Sequence, residues 1–320
     1  MNNKNKWFIA ATLLVVIGLV AFSAVMTTLG WDFTKLNTMS YVDNTYTIDE
    51  QFFSISIDAD SADITILPSE NGKCIVKCHE EEKVKHNVFV KDNILNIKAE
   101  NTKKWFDYIG ISFGSPKITV YLPDSYYENF NVKVRTGDVS ILSNFDFDSI
   151  KITTRTGDIT NYSSALDIML ETNTGDVFIE KVSASDVGVS VSTGEVKCND
   201  IDCQGDIFIN TSTGDVSLLD ITCLNLSTEC DTGDILLEDV IANLNMRIVT
   251  DTGDISFNVC DASDMYIETD TGDVSGKLLT SKVFYTDTDT GSVNVPDTNH
   301  GGLCEIITDT GDINIKVIAE

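Results

Sequence analysis

From residue 136 to the C-terminus one tripeptide returns at an almost constant step, and this feature limits most what the chain can fold into. It reads Thr-Gly-Asp in eight of ten copies, with Glu195 and Ser292 replacing the aspartate in the other two. Its glycines are Gly137, Gly157, Gly175, Gly194, Gly214, Gly233, Gly253, Gly272, Gly291 and Gly311, at steps of 20, 18, 19, 20, 19, 20, 19, 19 and 20 residues. Apolar residues keep the same phase. Val or Ile stands two positions after every glycine, from Val139 to Ile313, and an apolar residue stands seven before, from Phe130 to Cys304. Between these anchors the alternation has period two and Val, Ile and Thr dominate, which is a strand pattern.

Each repeat therefore reads as strand, sharp turn, strand and looser return. Several returns carry a further apolar residue seven after the glycine (Val182, Ile201, Ile221, Val240), which points to a third, shorter side. One such coil cannot bury its apolar face alone, whereas stacked coils bury one another's. The expected fold is all-β: a right-handed parallel β-solenoid of about ten coils, roughly 45–50 Å long at ~4.8 Å per coil. Separate hairpins or small sandwiches are the competing architecture, but sandwich strands do not hold one phase over so long a stretch. The turn residues have physical reasons. Glycine accepts positive φ or a close backbone approach, aspartate accepts hydrogen bonds from nearby N–H groups, and stacked threonines can bond from coil to coil. A second threonine stands three before glycine in seven repeats: Thr154, Thr172, Thr211, Thr250, Thr269, Thr288 and Thr308.

Residues 47–129 carry strand patterns without the regular glycine, and Asp63-Ile64-Thr65-Ile66 echoes Asp158-Ile159-Thr160. They are expected to form an N-terminal β cap of degenerate coils, leading into the repeat solenoid at 130–320, with residues 30–46 as a tether. Lys103-Lys104-Trp105-Phe106-Asp107-Tyr108-Ile109 is an aromatic stretch with a basic shoulder. Rings packed on the cap are the expectation there, with a contact patch as the alternative.

Trp7 to Leu29 is a run of 23 residues without a charge, enough to span a bilayer as a helix. Lys4 and Lys6 precede it and the next basic residue is Lys35, so residues 1–6 are expected in the cytoplasm and everything after Trp31 outside. A cleaved signal peptide is the alternative, but Phe22 fits poorly at the −3 position of a site after Ala24. Both readings export the repeats.

An anchor, a Ser-Ala-Asp-Ile-Thr-Ile-Leu-Pro strand (61–68), an Ile-Thr-Val-Tyr-Leu-Pro strand (118–123) and serial Thr-Gly-Asp-Val/Ile strands together resemble the bacterial "putative adhesin" family over roughly residues 50–318. That family is a domain of unknown function with members in Lia-type envelope-stress systems of Gram-positive bacteria. The resemblance implies a surface β-repeat protein linked to the cell envelope and supplies no catalytic residues.

The formal charge of −28 argues against duplex nucleic acid as a partner. It suits a solvated face or a cation-binding one. The later repeats read Asp-Thr-Gly-Asp, pairing Asp231 with Asp234, Asp251 with Asp254, Asp270 with Asp273 and Asp309 with Asp312. Stacking would place these carboxylates in two columns that Ca²⁺ could bridge, although structural turn aspartates are the simpler reading. Cys203 and Cys223 share a phase in neighbouring coils, within disulfide reach or equally a buried thiol ladder. Zinc is not expected, because no Cys-x-x-Cys or grouped histidines occur. No hydrolase, nucleotide or metalloprotease motif is present, and carboxylates spread evenly along a rod are unlike a local active site. A non-enzymatic, membrane-anchored surface binder, scaffold or stress sensor is therefore expected. A Ca²⁺-stabilised solenoid binding surface polymers is the alternative, and a polysaccharide-acting β-helix enzyme the third reading. The final strand, Ile313 to Ile318, has no evident cap, so end-to-end or partner pairing is expected there.

Overall fold

In-register stacking follows directly from the phase of the apolar positions. The computed structural model describes residues 3–36, 39–108 and 114–318. It is a parallel β-solenoid. The position seven before glycine forms one row, Phe130, Ile150, Ile168, Val187, Ile207, Leu226, Met246 and Met265, each paired with the next. All eight are buried, as are Val139, Ile159, Val177, Val196, Val216, Ile235, Ile255 and Val274 two after the glycine. Each such side chain contributes about 1.5–3 kcal/mol when withdrawn from water. One continuous core runs from Ile55 to Ile315.

The looser return is a second corner with its own rule. Lys181, Asp200, Asp220, Asp239 and Val259 stand six after successive glycines, and all have φ between 54° and 59°. A left-handed residue there re-aims the strand, so that Val182, Ile201, Ile221, Val240 and Cys260 point inward and are buried. This is the third side expected from the sequence.

At the N-terminal end, β1 (Tyr41–Ile48), β2 (Ser54–Ser61), β3 (Asp63–Pro68), β4 (Cys74–Glu81), β5 (Val84–Lys91), β6 (Ile94–Asn101) and β7 (Lys117–Leu122) precede the repeats. They meet β8 (Tyr126–Thr136) and β9 (Val139–Ile141), the first repeat. β2 and β3 are a true degenerate coil: they pair in parallel with β8 and β9 on one side and with β6 and β7 on the other. The outermost layer is antiparallel, with β4 on β7, β1 on β4, and β5 on β6. Reversing strand direction closes the stack. One expectation needs correction: residues 41–46, assigned to the tether, are part of strand β1 and pair with β4 in the cap. Trp105 is 77% exposed, while Ile109 of the same stretch lies outside the described residues.

At the C-terminal end the coils stack out of sequence order. Strand Gly302–Thr310 pairs directly with Ile255–Thr271, and Lys282–Thr290 pairs outside it. The last chain segment is thus inserted beneath the one before it. Ile313–Val317 lies between Val274–Leu278 and Val293–Asn294. The expectation that Ile313–Ile318 forms the open end is therefore corrected: the outermost coil is 282–294. This explains why Val293 is 45% exposed while Ile313 is buried. Gly301 and Gly302 make the insertion possible, since a Cβ on either would meet the carbonyl oxygen of Ser281 or Ser263 within 1.8 Å.

Ahead of the solenoid, α1 (Asn3–Thr28) contains a stretch, Lys6–Thr28, long and apolar enough to cross a membrane. Trp7, Phe8, Leu13 and Leu14 on it are exposed. Met1 and Asn2, part of the expected cytoplasmic segment, lie outside the described residues.

Candidate functional site

The Thr-Gly-Asp corners form a single column of all ten copies. The glycine N–H of each coil donates to the threonine carbonyl of the next at 2.8–3.0 Å, from Gly137 to Thr156 up to Gly311 to Thr290. Coils approach so closely that a Cβ on Gly214 would sit 2.0 Å from the Gly194 carbonyl oxygen, at a φ of +137°. Ala62 replaces glycine at the foot of the column.

The side chains complete the ladder. The aspartate after glycine accepts the N–H of the equivalent residue one coil on: Asp158 to Asp138 at 2.9 Å, Asp254 to Asp234 at 2.8 Å, Asp273 to Asp254 at 2.8 Å and Asp312 to Asp273 at 2.8 Å. Where Glu195 interrupts, its carboxylate turns instead to Lys197 at 2.8 Å. The inner threonines reach from coil to coil. Their hydroxyls donate to the glycine carbonyl of the neighbouring coil, as from Thr269 to Gly253 at 3.0 Å and Thr308 to Gly272 at 3.1 Å. Cys230 takes the same place with a longer contact to Gly214, and Thr211 has no partner.

Asp234, Asp254, Asp273 and Asp312 are thus structural acceptors. Asp231, Asp251, Asp270 and Asp309 form a separate exposed row. The Asp270 carboxyl is raised above the ordinary carboxylate range, first by local desolvation and then by Asp251, Asp309 and Glu268. Among the described residues, no three of these carboxylates approach within 4.8 Å of one another.

All eight cysteines are free and buried. Burial pushes the thiols of Cys74, Cys198, Cys223 and Cys304 up to about 12, so they behave as small apolar side chains.

The cap holds the arrangement that sequence reasoning missed. Cys78, Glu80 and His86 offer ligand atoms that all lie within 4.8 Å of one another, and all three are buried. Cys78 and Glu80 share the inner face of β4, and a hairpin returns His86 on β5. The Glu80 carboxylate is fully buried and accepts from Asn44 Nδ2 at 2.6 Å, the His86 N–H at 2.6 Å and His86 Nδ1 at 2.7 Å. His86 Nε2 is buried without a partner. The alternating spacing Cys-x-Glu in a strand, followed by a hairpin and a histidine, was the available signal.

The comparisons agree with the repeat architecture. Residues 52–238, more than half of the chain, match the model of the toastrack DUF4097 domain. The chain belongs to this family. It is a domain of unknown function. None of the curated proteins compared matches the sequence. Among solved structures, this toastrack chain is similar to a "putative adhesin" from Parabacteroides distasonis, at 11% identity and a TM-score of 0.50, covering 87% of this chain and 98% of that one. It also matches a "putative lipid binding protein" from the same species (14% identity, 85% and 96% covered, TM-score 0.49). A third match is a "putative adhesin" from Bacteroides fragilis (17%, 87% and 97%, 0.40). At such identities the likeness concerns the fold alone.

Proposed function

We propose that this toastrack protein is a non-enzymatic binding scaffold, anchored in the cell membrane by α1 and displaying its solenoid outside the cytoplasm. The observation that carries this reading is the uniformity of the corner column. Most of its aspartates and threonines are engaged in holding the stack, which leaves a long acidic surface and no local departure of the kind a catalytic centre requires. An anchored rod of this type presents the same chemistry many times to a polymer of the envelope. The absence of a charge from Trp7 to Leu29 supports the anchor.

Full-length protein in membrane vesicles, mixed with isolated envelope polymer, tests it. The expected result is co-sedimentation that weakens with salt and leaves the polymer intact. Shortened polymer after incubation would replace the scaffold with an enzyme, and no co-sedimentation would remove the binding role. Cleavage of the solenoid by protease added to intact cells is the expected topology.

A further inference from the structure

Glu80, His86 and Lys282 are the acidic or basic side chains buried in the core among the described residues. Lys282 is fully engaged, with Nζ bonds to the Ala262 carbonyl and Thr280 Oγ1 and an ion pair to Asp261. Glu80 and His86 differ, because they sit beside a thiol and leave one imidazole nitrogen unused.

We propose that Cys78, Glu80 and His86 form a binding site for a transition-type divalent cation of the zinc class. The donor set decides the class. Thiolate, imidazole and carboxylate together suit borderline-soft dications, while Ca²⁺ and Mg²⁺ favour all-oxygen shells. Charge balance decides the valence. A thiolate and a carboxylate neutralise a dication, and histidine adds no charge, so the loaded site is electroneutral in an interior that tolerates net charge poorly. Binding forms the metal–sulfur bond and releases the Cys78 thiol proton to solvent. His86 then serves as a neutral ligand through one ring nitrogen.

The frame is already built. Asn44 from β1 holds Glu80, and the Tyr46 hydroxyl donates to the His86 carbonyl at 3.2 Å. Three strands therefore fix two of the three ligands before any ion arrives, the outer-shell arrangement that tunes metal sites. The competing account is that Glu80 and His86 are only a buried hydrogen-bonded latch on the hairpin. It gives no role to the unpartnered Nε2.

The test uses the full-length chain in detergent, reduced, stripped with chelator and titrated with Co²⁺ alone. The expected result is uptake of one Co²⁺ per chain with a sulfur-to-cobalt charge-transfer band, reversed by Zn²⁺. Cys78→Ser should abolish that band, and Cys74→Ser and Cys203→Ser should leave it intact. His86→Gln should weaken uptake roughly 100-fold, at or beyond the upper end of what losing an outer-shell partner brings. His86→Cys should keep uptake and raise the band about twofold, as a second thiolate joins the shell. Wild-type protein without the charge-transfer band overturns the proposal whether or not any variant folds. So does a band that survives Cys78→Ser.

Discussion

The middle of the solenoid and its two ends are held by different kinds of interaction. Between Tyr126 and Thr271 no buried residue is charged among those described, and the polar groups inside are threonines, Asn161 and Ser163. There, each coil's corner is satisfied by the same groups of the coil above and below. At the ends this solution stops, because there is no next coil. The N-terminal end closes with antiparallel strands around buried Glu80 and His86, and the C-terminal end with an inserted coil around buried Lys282. Translation along the axis lets one backbone arrangement serve ten times, while an end needs an arrangement used once. Among the described residues, buried charge, costly unless paired, is confined to those places.

The comparison breaks most sharply at a corner glycine. Gly214→Ala places a Cβ against the Gly194 carbonyl in a conformation that disfavours any side chain. The strain and the overpacking together should cost about 3–5 kcal/mol. Because the column is continuous, the loss should register in the stack on both sides, as a lower melting temperature followed by circular dichroism. A small change would mean that coils separate at their corners more easily than the hydrogen-bond ladder implies.

Lys282→Ala should break an end and spare the middle. It strips a part-buried Asp261 of the ammonium 2.6 Å away and empties the space through which the side chain reaches past Gly302. The expected cost is about 3 kcal/mol, paid locally. Limited proteolysis should cut within 279–301 while the main unfolding transition stays near its wild-type position. Pairing the change with Asp261→Asn should recover most of the loss. If the main transition falls as far as in Gly214→Ala, the two regions are not independent. Release of the outer coil should also alter any end-to-end association, which the open edge at 282–294 now locates; sedimentation equilibrium of the two proteins reads that.

What the sequence disclosed follows the same division. The repeat was legible because each apolar position answers to one local rule, and Val139, Ile159 and their successors are buried as expected. The degenerate coil at Ser61-Ala62-Asp63 was legible for the same reason. The order of the last coils was not, because Thr290-Gly291-Ser292 and Thr310-Gly311-Asp312 satisfy the corner equally well in either position. Gly301-Gly302 and Lys282 are the only local marks of the exchange, and they lie off the repeat. The Cys78, Glu80 and His86 cluster escaped because a hairpin must bring His86 back to the Cys-x-Glu pair, and that spacing alone points to no ligand. The aspartates after glycine were expected to accept N–H groups within their own turn, and what they accept is the N–H of the adjoining coil, which needs the stacking to be known.

The second corner offers a smaller test within the middle. Val259 adopts a left-handed conformation at φ 59° where the preceding coils carry Asp239, Asp220 and Asp200. A β-branched residue fits that region poorly, and Asn tolerates it. Val259→Asn should therefore raise stability by about 0.5–1 kcal/mol, measured as a higher melting temperature. No rise would show that packing of the Val259 side chain outweighs its backbone strain.

The smallest effect concerns the exposed aspartate row, which lies in register across the boundary between the middle and the inserted coil, Asp251 beside Asp270 and Asp270 beside Asp309. With its folded-state pKa raised, Asp270 binds its proton more tightly in the folded chain than in the unfolded one. Folding is thus penalised at pH above the carboxylate range, and the penalty disappears as pH falls and the group is protonated in both states. Asp270→Asn should stabilise the protein at neutral pH by at most a few tenths of a kcal/mol, an exposed interaction being well screened. The gain should shrink with salt and vanish in acid. Calcium decides what the row is. If the carboxylates merely adjoin the turn, added Ca²⁺ reduces the gain as any divalent salt would. If the row holds an ion, Ca²⁺ stabilises the wild-type chain more than the variant, and the sign of the difference reverses.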